Sequence, residues 1–166
     1  MHGLSYFCTP MKYRRLTKEQ FEELHKEFIN FLATQSITAQ EWADIKKNKP
    51  EVAEEELDVF SDLVWEGVLN KVKYIENIGE QQMHLFAVEE KEIRLIAIKV
   101  MNPDIDLTTT EGFTWFKKNL MSDFVEVMTA AKAYGNDPNK DKFELIEKGG
   151  VITKGELFNW FNDMLP

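Results

Sequence analysis

Cysteine is nearly absent from this chain. Cys8 stands alone among 166 residues, so no intrachain disulfide can form and a Cys-based zinc site is excluded. Histidine is almost as scarce, with His2, His25 and His84 the full set. Glu22-x-x-His25 supplies half of the paired motif that a di-iron bundle requires, and no second copy exists. Glu80 and His84 are four apart, in a turn and a strand. Long apolar runs are missing too, none approaching the roughly 20 residues that span a bilayer. Glycine never forms a phosphate loop: Gly149-Gly150 and Gly155 fit neither a Walker A loop nor G-x-G-x-x-G. None of Ser5, Ser36, Ser61 and Ser122 sits in a nucleophile elbow. Neither a cofactor nor a metal is expected.

Positive charge is also in deficit. Twenty Lys and Arg face 29 Asp and Glu, a net charge of −9 with a pI near 4.9. That balance argues against a phosphate-binding surface and hence against nucleic acid, and it suits a cytoplasmic protein. One basic stretch, Lys12-Tyr13-Arg14-Arg15 with Lys18, has the aromatic that RNA contact would use, but a solvated lead-in to the first helix accounts for it as well.

What is present is a hairpin. Gln82 to Val100 reads QMHLFAVEEKEIRLIAIKV, two apolar runs around a charged turn. With Val88 opposite Ile93, the residues His84, Phe86, Val88, Ile93, Leu95 and Ala97 share one face. Met83, Leu85, Ala87, Ile96, Ile98 and Val100 share the other, where Arg94 is the one polar residue. A sheet wet on one side shows a polar face. This one is apolar on both, so it needs cover twice, from the chain's own helices or from a partner. Val72 and Tyr74 alternate with lysines, and residues 72–77 are a candidate third strand.

Helix starts are legible. Thr17 with Gln20, Thr38 with Glu41 and Thr153 with Glu156 are capping boxes, and Thr108 with Glu111 is a fourth without its staple. They predict helices over about 18–33, 39–47 and 154–165. Pro50 opens a long one whose flank carries Glu51, Glu54, Glu55, Asp58, Asp62 and Glu66. A stripe of Phe113, Phe116, Leu120, Phe124, Val127 and Ala131 predicts the longest helix, over 109–134, with Gly135 at its C-terminal cap. A short helix is expected over about 140–148. The fold class is therefore α+β: mostly helical, with a small antiparallel sheet (the hairpin 82–100 and a possible third strand) covered by helices. Residues 1–10 read as a disordered extension and 11–166 as a single domain.

Two calcium half-motifs fail. Placing Gly150 and Glu156 at positions 6 and 12 of a calcium loop puts Leu145 and Gly149 at ligand positions. Asp137-Pro138-Asn139-Lys140-Asp141 supplies a first half in the wrong register. Asp104 and Asp106 follow Asn102-Pro103, where carboxylates ordinarily turn the chain. Aromatics are the better lead. Trp115 falls opposite the Phe113–Ala131 stripe, while Phe158, Trp160 and Phe161 crowd a short terminal helix. Such surplus apolar surface marks either internal packing or an interaction surface. Either the Trp115 face or the terminal helix would then serve a homodimer or another protein partner.

The blocks MKYRRLTKEQF, ELDVFSDLVWEGVLNKV, QMHLF, NLMSDFVEV and VITKGEL resemble a small uncharacterised family of Bacteroidetes proteins across Met11 to Leu165. The resemblance implies a bacterial cytoplasmic protein starting at Met11, and it carries no activity or site residue. The leading expectation is a non-enzymatic interaction or accessory protein. The alternative is a motif-less enzyme or small-ligand binder using carboxylates and His84.

Overall fold

The computed structural model describes residues 11–166. The expectation for residues 1–10 lies outside them. The chain divides into two compact units, the first ending at Val68 and the second comprising Leu69–Pro166.

The first unit is helical. It contains α1 (Lys18–Glu23), α2 (His25–Thr34), α3 (Ala39–Asn48) and most of α4 (Pro50–Lys71). Thr17 and Thr38 form the expected capping boxes with Gln20 and Glu41. The expected single helix over 18–33 is two, because Leu24 leaves helical geometry at φ −99°, ψ 23°. Its core is aromatic: Phe28 packs edge-on against Trp42 and Phe60, and Phe21 stacks on Phe60.

The second unit is built on a five-stranded antiparallel sheet in the order β4-β3-β2-β1-β5, comprising β1 (Tyr74–Ile78), β2 (Gln82–Val88), β3 (Glu92–Val100), β4 (Val125–Ala133) and β5 (Val151–Thr153). The hairpin takes the expected register, Val88 opposite Ile93. The predicted third strand is β1. Two further strands were not predicted. The interval 109–134 is not one helix: α5 (Thr110–Lys118) ends at Asn119, and β4 follows. The segment's stripe fits a helical period, yet Val125, Val127 and Thr129 also alternate. β3 offers a free row of backbone groups, and pairing along it settles the choice. The cap of α5 is Thr109, not Thr108, whose N–H instead turns back to Asp106. The third capping box also fails to form. Thr153 is taken into β5 opposite Tyr74, and α7 (Glu156–Met164) starts after Gly155. Between the last two strands lies α6 (Pro138–Glu147), capped by Asp137.

One sheet face is covered over its central strands, β2 and β3. Met83, Leu85, Ile96 and Ile98 are buried there with Phe116 of α5 and Phe158 and Phe161 of α7. Arg94, the polar exception on that face, donates to Asn162 of α7 at 2.7 Å and lies over the Phe158 ring. The other face is closed only in part. Ile75 is buried, but Phe86, Ile93 and Leu95 are half-buried.

Candidate functional site

The basic stretch at the start of the first unit is not a solvated lead-in. It runs along α4, whose carboxylates Glu54, Asp58, Asp62 and Glu66 recur every four residues and so lie along one flank. Asp62 accepts from the backbone N–H groups of Lys12 and Tyr13 at 2.7 and 2.9 Å. Glu66 accepts from the Tyr13 hydroxyl at 2.5 Å and pairs with Lys12 Nζ at 3.2 Å. Arg15 reaches Asp58 at 2.7 Å and also pairs with Glu54. Arg14 lies over the Trp65 ring, and the Leu16 N–H donates to the buried Ser61 hydroxyl at 3.0 Å. Burial, and then the hydrogen bond to Glu66, push the Tyr13 phenol up to about 12. Burial alone would lower the Arg15 pKa, but its bonds to Asp58 and Glu54 outweigh burial and raise it. Lys12, Arg14 and Arg15 of the basic stretch are thus engaged with α4.

Beside the strap, α1, α2 and α3 leave an open groove of about 720 Å³. Phe21, Phe28, Leu32 and Trp42 form its apolar lining. Their rings are held edge-on against neighbours, which fixes the shape of the floor. Ile29 stands 47% exposed at its edge. Lys18, His25 and Lys46 are on the rim with Glu22, and Lys46 lies over the Trp42 ring. Arg15 also borders the groove, but its charge is already paired.

A second groove, of about 330 Å³, lies on the half-closed sheet face between Phe86, Ile93, Leu95 and α6. Tyr134, Asp141, Glu144 and Lys148 edge it. The Tyr134 hydroxyl donates to the Glu89 carbonyl at 2.6 Å. Burial, with Asp141 and Glu89 nearby, raises its pKa. Asp141 accepts from the Gly135 N–H at 2.8 Å, so part of its capacity is structural.

The residues singled out from the sequence are dispersed. His84 stacks against Phe86 and does not line this groove. His25 is exposed on the rim of the helical groove. Phe158 and Phe161 are buried in the sheet's core, and Trp115 is half-buried against that core. Trp160 remains 39% exposed, edge-on to Phe161. The four rings therefore do not form one surface patch. Asp106 accepts from the Thr108 N–H and hydroxyl, as a turn residue does. Leu145 lies in α6, while Gly150 leads into β5, so that stretch is not a calcium loop. Among the described residues, no three His, Cys, Asp or Glu side chains converge as a metal site needs. No helix among the described residues is long and apolar enough to cross a membrane.

Sequence reading missed both grooves. The helical one had a signal in Phe21, Phe28 and Trp42, but only the break at Leu24 and the placement of α3 turn that stripe into a concavity. In comparison with known proteins, a family model described as a family of unknown function (DUF6495) matches residues 11–166. No curated protein and no solved structure matches. The chain belongs to the DUF6495 family.

Proposed function

We propose that this DUF6495 chain is a non-enzymatic interaction or accessory protein of the cytoplasm. Its helical groove receives the apolar face of an amphipathic helix from an acidic protein partner. The observation that supports this reading is the groove itself: open, apolar, floored by rings that neighbours hold in place, and edged by Lys18, His25 and Lys46 against one carboxylate, Glu22. Helix-in-groove recognition uses such a floor for apolar anchors spaced i, i+3, i+4 and i+7. Cations on the rim select acidic flanks and accelerate encounter more than they add affinity.

A labelled helical peptide with leucines at those four positions and glutamates on its flanks provides the test, read by fluorescence anisotropy. Saturable binding is expected, weakening with salt. Ile29→Asp should abolish it without unfolding the protein, since Ile29 is exposed. Charge reversal at Lys18 and Lys46 should slow association. A flat titration, or binding indifferent to Ile29→Asp, would sink the reading.

The alternative, a small-ligand binder, draws its support from the sheet groove, where an apolar floor meets a perturbed phenol at Tyr134. That version uses Tyr134 and Glu144 and dispenses with His84.

A further inference from the structure

β4 is an edge strand with an unusual profile. It is nine residues long, and every position after Val125 is exposed. Among the described residues it has a neighbour, β3, on one side only. Long exposed apolar edges are normally blunted by prolines, bulges or inward charges. VEVMTAAKA contains no proline, and its charges are Glu126 and Lys132. Phe124, Val127 and Met128 are exposed along it, Met128 to 70%.

The backbone pattern shows which groups are free. Tyr134 N–H donates to the Lys91 carbonyl and Met101 N–H to the Phe124 carbonyl, at the two ends of the β3–β4 ladder. In an antiparallel pair the bonded positions alternate. The even-numbered residues of β4 therefore bond β3, and Val127, Thr129, Ala131 and Ala133 turn their N–H and C=O groups outward.

We propose that this edge docks a second copy of the chain, the two β4 strands running antiparallel about a twofold axis at Thr129 to make one continuous sheet. Three properties of the sequence agree with that register. The outward-facing residues meet one another, Thr129 with Thr129 and Val127 with Ala131, so free donors face free acceptors. Glu126 lies across from Lys132 on both sides of the axis, so each charge in the strand meets its opposite. The larger residues of the first half, Val125, Val127 and Met128, meet Ala133, Ala131 and Ala130, so bulk is set against space. A twofold interface must be self-complementary in this way. Cross-strand pairs of opposite charge stabilise a sheet, and like pairs destabilise it. This surface differs from the Trp115 and terminal-helix faces expected from the sequence.

Sedimentation of the full chain over a concentration series tests the register. The wild type is expected to dimerise. Glu126→Lys and Lys132→Glu each replace two attractive pairs by two repulsive ones, and each should weaken the dimer by about tenfold. The double variant restores both pairs and should dimerise like wild type. The two single variants mixed should associate with each other more tightly than either does with itself. Thr129→Pro removes an outward N–H that β3 does not use, and it should leave a folded monomer by circular dichroism. If that variant unfolds, the charge exchange still decides. A wild type that stays monomeric at high micromolar concentration overturns the proposal. So does a dimer that ignores all of these substitutions, because it must then use another surface.

Discussion

Ser61 holds two things at once. Its buried hydroxyl accepts from the Leu16 N–H and donates to the Leu57 carbonyl at 2.7 Å. Removing it leaves a buried backbone donor unpaired, and such groups cost about 1–3 kcal/mol. Ser61→Ala should lower stability by that amount in urea unfolding, with the slope unchanged. Glu76 makes the opposite case, a carboxylate the fold tolerates poorly. Burial, and then the nearby Glu156, raise its pKa above 4.5. The folded state holds this proton more tightly than the unfolded chain does. Stability from the protonated form is therefore full below pH 4.5 and is lost as pH rises through the folded value. Glu76→Gln keeps the neutral form at every pH. The variant should melt above wild type at neutral pH, and the gap should close in acid. A gap that is the same at both ends would show that packing, not ionisation, sets it.

At the scale of elements, the junction from β5 into α7 depends on a residue without a side chain. Gly155 has φ +83°, and a Cβ there would lie 2.4 Å from the Tyr74 ring. Gly155→Ala combines left-handed strain with a clash against an aromatic that cannot simply swing aside. It should cost about 2–4 kcal/mol, read as a lowered melting temperature with the near-ultraviolet signal of the tyrosines altered. The same junction explains where sequence reading stopped. Thr153 and Glu156 have the spacing of a capping box, but three residues of β5 pair with β1, which is nearly eighty positions earlier in the chain. Nothing local announces that pairing. β4 was hidden for a related reason, since Val127 and Ala131 fit a helix stripe as well as a strand, and the deciding partner is β3. The hairpin was legible to the exact register because its partner is adjacent and its turn is charged. The helix starts at Thr17 and Thr38 were legible because a cap is a local bond. Neither groove could be read, since each is a space between elements and not a property of one.

On the scale of the whole molecule, a net charge of −9 is distributed unevenly. Four of the carboxylates stand one turn apart along α4, and like charges at that spacing destabilise a helix by a few tenths of a kcal/mol per pair. The strap at Lys12–Leu16 neutralises them, but it contacts α4 at sequence separations of 39 to 54. Contacts of such span are costly to close early, because loop entropy must be met first. During refolding, α4 therefore winds against its own repulsion before the strap arrives. The strap should lock last, after the rate-limiting barrier. In a chevron experiment, Arg15→Ala should then speed unfolding while leaving the refolding arm almost unmoved, whereas salt should quicken refolding by screening the bare ladder. On a ribosome the order is fixed more firmly still: the cationic segment emerges before α4 and can pair with its carboxylates only once most of that helix has been made.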